Sequence, residues 1–237
     1  MKLIRAEFKK TLTEAVSYYP DYIVALITDL LLLAIVINTD GDSGQKVFSY
    51  VLWILAEGVL SEASMCISTE KQLGTLQNLM IKPCSIVGII TAKTLVWFTI
   101  NFIKAIITAL IASFFIKTEN LFRIEYIYVG ILVCVGIMGL SYILSAITLI
   151  FTKVASFVSI IGYLFLFLSG SIMKVPDYLI YTNPLSYGAH YVLQLVAGTN
   201  SFKDFTIFIL ISGSWLLIGY LLFGFIFKRS KQFKWTY

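Results

Sequence analysis

Residues 125–151 read EYIYVGILVCVGIMGLSYILSAITLIF, and this stretch decides the fold. An α-helix needs ~20 mainly apolar residues to cross ~30 Å of hydrocarbon. The run exceeds that length, so it predicts a membrane span that is tilted or protrudes from the bilayer, with Gly130, Gly136 and Gly139 as places to bend. Five further runs of the same character lie at 22–37, 47–67, 88–116, 155–172 and 205–227. Six spans put both chain ends on one side. The first run is short, which predicts a helix that starts nearer Tyr18.

Composition agrees. Hydrophobic residues make up 59% of the chain, against ~45–50% in a soluble domain. Charged residues make up 13%, where ~25% is usual. So little polar surface cannot keep a globule of this size in water. An aromatic fraction of 15% suits a chain whose interfaces are anchored by amphipathic rings. The expected fold is therefore all-α: one polytopic domain over residues 1–237 with six transmembrane helices, an N-terminal amphipathic interfacial helix, a cytoplasmic helix and outer re-entrant helices between spans five and six. Cys66, Cys84 and Cys134 are odd in number and scattered, which excludes a disulfide framework or a Cys-x-x-Cys metal site. No metal site is expected.

Orientation follows from the basic residues. With the termini inside, Lys2, Arg5, Lys9, Lys10, Lys71, Lys82, Lys153, Lys228, Arg229, Lys231 and Lys234 face the cytoplasm, while Lys46, Lys117, Arg123, Lys174 and Lys203 face out. This asymmetry predicts a multi-pass protein of the cell membrane with both termini cytoplasmic. It also accounts for the net charge of +5 without nucleic acid as a partner.

Residues 1–20 carry Ile4, Phe8, Leu12, Ala15, Val16 and Tyr19 at helical spacing with Lys and Glu between them. That pattern predicts an amphipathic helix in the lipid interface, ended near Pro20. It serves either as an elbow touching a cytosolic partner or as a plain anchor. In the loop 173–204, Asn183 before Pro184 marks a helix start. Tyr187, Tyr191, Val192, Leu195 and Val196 follow at helical spacing, and Gly198 marks the stop. A helix near 14 residues is too short to span, so it is re-entrant or lies flat on the outer face.

Between spans two and three lies Thr69-Glu70-Lys71-Gln72-Leu73-Gly74-Thr75-Leu76-Gln77-Asn78-Leu79-Met80-Ile81-Lys82-Pro83. Thr69 with Gln72 reads as a capping box, Leu73, Leu76, Leu79 and Met80 form an apolar stripe, and Pro83 closes it. The pattern predicts a short amphipathic cytoplasmic helix over 69–83, suited to a groove on a partner or to the lipid surface. The run Glu70-x-x-x-Gly74-Thr75-Leu76-x-x-Leu79-x-x-x-Pro83 resembles the cytoplasmic segment of type-2 ATP-binding cassette (ABC) exporter permeases. Leu168-Ser169-Gly170, Pro176 and Asn183-Pro184-Leu185-Ser186-Tyr187 are similar to the end of that family's fifth span and its outer re-entrant segment. Gln77 departs from the pattern, since the family often has a second glutamate there.

The resemblance implies that Glu70, Gly74, Thr75, Leu76, Leu79 and Pro83 belong to a coupling helix docking on a nucleotide-binding ATPase subunit. It also implies a second permease subunit, as homo- or heterodimer, with cargo passing between the two. No Gly-x-x-x-x-Gly-Lys-[Ser/Thr] run occurs in the chain. The chain is thus expected to be no enzyme and to hold no cofactor, with ATP and magnesium on the partner ATPase.

Asp29, Glu57, Glu62, Lys93 and Lys104 fall inside spans, where each charge costs ~2.5–3.5 kcal/mol at the bilayer centre. Asp29, Glu57 and Lys104 sit at similar depth, which predicts either an ion cluster that fixes packing or, with Glu62, part of a translocation path for a cationic amphipathic cargo. Lys93 is expected to snorkel to the inner interface. The cargo class implied by family resemblance is a drug, an antimicrobial peptide or a lipid-like molecule. Alternatives are export of a lipid-linked glycan, the substrate-capturing subunit of a vitamin importer, or an intramembrane hydrolase using Ser169 or Ser171 with His190. The last is the poorest fit.

Overall fold

A computed structural model describes residues 2–39, 43–75, 85–115, 124–151 and 155–230. Regular structure among them is α-helical: α1 (Lys2–Ser17), α2 (Tyr19–Ile37), α3 (Ser43–Gln72), α4 (Ile86–Phe115), α5 (Glu125–Ile150), α6 (Ala155–Leu168), α7 (Asp177–Ile180), α8 (Pro184–Ala197) and α9 (Phe202–Ser230). Among the described residues α2, α3, α4, α5 and α9 are long and apolar enough to cross a membrane. Helix α6 occupies the run of the expected fifth span. It has 14 residues, reaching only ~21 Å, and the chain turns at Gly170, whose φ is +78°. The protein is thus all-α and multi-pass, with five helices of spanning length and a shorter apolar helix before the last of them.

Helix α2 begins at Tyr19, close to the expected start. Tyr18 breaks the helix with φ −111° and ψ 31°, and Pro20 stands in the first turn of α2, where the missing N–H costs no intrahelical bond. Helix α1 packs on α4. Its Thr11 is buried, while Ile4, Phe8, Leu12 and Val16 are exposed. An apolar stripe with no protein cover suits a helix resting on lipid.

The long helix α3 is the hub, touching α2, α4, α5, α6 and α8. Trp53 of α3 donates its Nε1–H to the Gly162 carbonyl of α6 at 2.8 Å. The glycines of α5 act as contact points. A Cβ on Gly136 would run into the Pro184 ring, and one on Gly139 into the Trp215 carbonyl of α9. Gly219 of α9 returns the contact, since a Cβ there would strike the Gly139 carbonyl. Small residues let backbones approach this closely where lipid gives no hydrophobic drive to association.

Between α6 and α9 the chain forms a hairpin of α7 and α8. Asn183 caps α8: its Oδ1 accepts from the Ser186 N–H at 2.8 Å and its Nδ2 donates to Ser186 Oγ at 2.8 Å. Ser186 Oγ in turn donates to the Leu168 carbonyl at 2.6 Å, which satisfies the end of α6. Gly198, at φ +68°, stops the helix. The tip of the hairpin lies deep. Trp215, thirteen residues into α9, donates to the Thr182 carbonyl at 2.9 Å, which is ~20 Å along that helix. Asn183 is buried there, Tyr181 and Thr182 stay exposed at the tip, and α8 behind them packs on α5 and α9. Asn183→Ala is expected to cost about 1–2 kcal/mol, read as a lower unfolding temperature of the detergent-purified protein, with Asn183→Asp losing less.

Candidate functional site

Two regions carry the residues singled out in the sequence. The first is the connection between α3 and α4. The expected capping box at Thr69 and Gln72 is not formed, because α3 is already running there. Thr69 Oγ1 donates back to the Met65 carbonyl at 2.6 Å, and Gln72 Nε2 reaches Ser68 Oγ at 3.2 Å. These residues finish a helix instead of opening one.

The stop itself is built from Glu70, Gly74 and Thr75. Gly74 takes φ +70°, its N–H bonds to the Lys71 carbonyl at 3.2 Å, and the Thr75 N–H bonds to the Glu70 carbonyl at 2.9 Å. This pair of bonds closes a helix C-terminus on a left-handed glycine. Thr75 Oγ1 adds a 2.5 Å bond to the Glu70 carboxylate. The direction in which the chain leaves α3 is therefore fixed by these three side chains and backbones. Leu76, Leu79 and Pro83 lie outside the described residues.

Lys71 links this stop to α5, since its Nζ donates to the Leu149 carbonyl at 3.1 Å. Leu149 is in the last turn of α5, where carbonyls lack helical partners. Beside it, Ile67 of α3, Ile86, Ile89 and Ile90 of α4, Tyr142, Ala146 and Leu149 of α5 and Phe223 of α9 form one apolar cluster. Thr91 and Tyr142 share a 2.5 Å hydroxyl contact across α4 and α5. The end of α3 is thus packed with α4, α5 and α9 through buried side chains.

The second region is a cavity of about 910 Å³ between α1 and α2 on one side and α3 and α4 on the other. Glu57, Ser61, Glu62, Trp97, Asn101 and Lys104 line it from α3 and α4, while Tyr18, Tyr19, Asp21 and Tyr22 line it from the α1–α2 side. Lys104 and Asp29 form an ion pair at 2.6 Å, and Tyr50 donates to the Asp29 carbonyl at 2.8 Å. Depth counting grouped Asp29, Glu57 and Lys104; the structure pairs Asp29 with Lys104 and sets Glu57, Glu62 and Lys104 on the cavity wall.

Tyr18, Tyr22, Trp97 and Asn101 escape a sequence reading. Aromatic rings in apolar runs look like lipid anchors, whereas the amide of Asn101 inside a span is a signal that was available. Asn101 is buried against Gly58, where a Cβ would strike its amide. Lys104→Ala leaves Asp29 without its counter-charge. Loss of one partner of a buried pair costs ~3–5 kcal/mol, and partial exposure of the lysine lowers this to about 2 kcal/mol. The expected result is a drop in unfolding temperature that Asp29→Asn, added to Lys104→Ala, partly reverses.

A smaller cavity of about 460 Å³ lies under the hairpin, with Lys46, Ser169, Asp177, Ser186 and His190 on its walls. Pro176 sets the start of α7. Tyr187 is buried and donates to the Asp204 carbonyl at 3.1 Å, and Pro184 fills the space left by Gly136. The hydroxyls of Ser169 and Ser171 bond to each other and to the Leu166 carbonyl. His190 instead meets Gln194, at 3.2 Å between side-chain nitrogens. No serine–histidine contact of the kind a hydrolase needs is formed among these residues.

Comparison with known proteins gives one positive result. A family model described as ABC-2 type transporter, for the membrane component, matches residues 1–197. No curated protein matches the chain.

Proposed function

We propose, from the premise that this chain belongs to the ABC-2 type transporter membrane family, that it is the permease half of an exporter driven by an ATPase on a separate polypeptide. Two permease subunits, identical or related, would face each other, and the cargo would be an amphipathic molecule such as a drug, an antimicrobial peptide or a lipid-like compound. The observation that carries this reading is the rigid exit from α3. Glu70, Gly74 and Thr75 fix the direction of the connection, and Lys71 with the apolar cluster ties it to α5 and α9.

Such a construction converts movement of a docked partner into movement of spans. The segment 69–83, with Leu76, Leu79 and Pro83, would lie on the ATPase, where ATP and magnesium bind. Termini and connection would then face the cytoplasm. Affinity purification of the tagged protein from its native membrane tests this. A nucleotide-binding subunit should co-purify, and its ATPase rate in the complex should respond to cargo. A chain that purifies without an ATPase and restores cargo resistance unaided overturns the reading.

A further inference from the structure

We infer that the cavity between α1–α2 and α3–α4 is a binding site for an amphipathic cation. This names the cargo class of the exporter proposed above and rests on that reading only for what happens after binding. About 910 Å³ is within the range of drug-sized ligand sites. Four aromatic side chains, Tyr18, Tyr19, Tyr22 and Trp97, stand on its walls. Such rings bind apolar groups and also attract cations through their faces.

The charge count selects the ligand. Asp21, Asp29, Glu57 and Glu62 bring four carboxyl groups to this region, and two lysines oppose them. Lys104 is committed to Asp29 at 2.6 Å, and Lys93 acts electrostatically on Glu62. Glu57 is left over. It lines the cavity and takes part in no hydrogen bond among the described residues. A carboxyl group that shares its one lysine in an apolar site is stabilised in its charged form by an arriving cation. An anion would meet more carboxyl groups than lysines on these walls.

Tetraphenylphosphonium and tetraphenylborate have nearly the same shape and opposite charge, and equilibrium dialysis against the detergent-purified full chain, without ATP or ATPase, compares them. Saturable one-to-one binding of the phosphonium is expected, with no competition from the borate. Glu57→Gln should weaken phosphonium binding at least tenfold, and Ser61→Trp, which fills the cavity without altering a charge, should abolish it. Asp177→Asn, in the other cavity, should change nothing.

Equal binding of the borate, absence of saturable phosphonium binding, or full affinity in both cavity variants would overturn the assignment. The wild-type comparison decides the matter even where a variant does not fold. Failure of the ATPase to co-purify would refute the transport reading and leave this result standing, whereas a stimulated ATPase with no phosphonium binding would refute only the cavity.

Discussion

Leucine in place of Gly139 is expected to be the most damaging single change in the bundle. The Cα of Gly139 lies against the Trp215 carbonyl of α9, and Gly219 lies against the Gly139 carbonyl. The obstacle is backbone on both sides. A flexible side chain can swing away from an added Cβ, but here the helices themselves must part. Overpacking a core usually costs ~1–3 kcal/mol because neighbours adjust, so a site without adjustable neighbours should exceed about 3 kcal/mol. In a domain of this size that corresponds to a fall of roughly 6–12 °C or more in unfolding temperature. Gly219→Leu should behave alike. Gly224→Leu, on the same helix with nothing within 4 Å of its Cβ position, should shift stability by less than about 0.5 kcal/mol. Thermal unfolding in detergent, followed by tryptophan fluorescence, makes the comparison, and equal effects at 139 and 224 would dismiss the backbone contact as a determinant.

Gly74→Val is expected to separate function from stability. At φ +70° an L-residue pays ~1–2 kcal/mol, and a β-branched one is a genuine outlier there. The stop lies at the end of α3, outside the buried core, so the chain can relieve the strain by leaving the helix along another path. The bundle then survives while the connection points elsewhere. Because 1.4 kcal/mol is a factor of ten in an equilibrium, cargo-stimulated ATP turnover by the assembled complex should fall about tenfold or more. The unfolding temperature should move by only a few degrees. Gly74→Asn, whose side chain tolerates the left-handed region, should keep a substantial part of the activity. Unaltered turnover in Gly74→Val would show that the direction of exit is unimportant.

How much of this was legible follows the range over which each signal acts. The spans announce themselves because hydrocarbon demands an unbroken apolar run. The helix at Asn183 to Gly198 was readable residue by residue, since its cap, its proline and its terminating glycine are local chemistry. The Thr69–Gln72 pattern misled for the converse reason. A capping box looks the same whether or not the preceding residues are helical, and only the continuation of α3 from Ser43 decides.

Long-range features were harder. Asp29 and Lys104 could be paired by counting depth along two spans, because an unpaired charge in lipid is costly. The contact of Gly139 with Gly219 could not, since a glycine's partner leaves no mark in its own helix. The aromatic walls of the large cavity were equally hidden, because lipid-facing and cavity-facing rings draw on the same residues.

The attachment of α2 has a mechanical consequence. Its fully buried side chains, Leu33 and Val36, both lie beyond Asp29, and Asp29 itself is pinned by Lys104 and by Tyr50 through its carbonyl. Ahead of that pin, Ile23, Val24 and Ile27 face outward. The leading half of the helix is therefore held mainly from its far end, as one unbroken helical wall between the large cavity and the surrounding lipid.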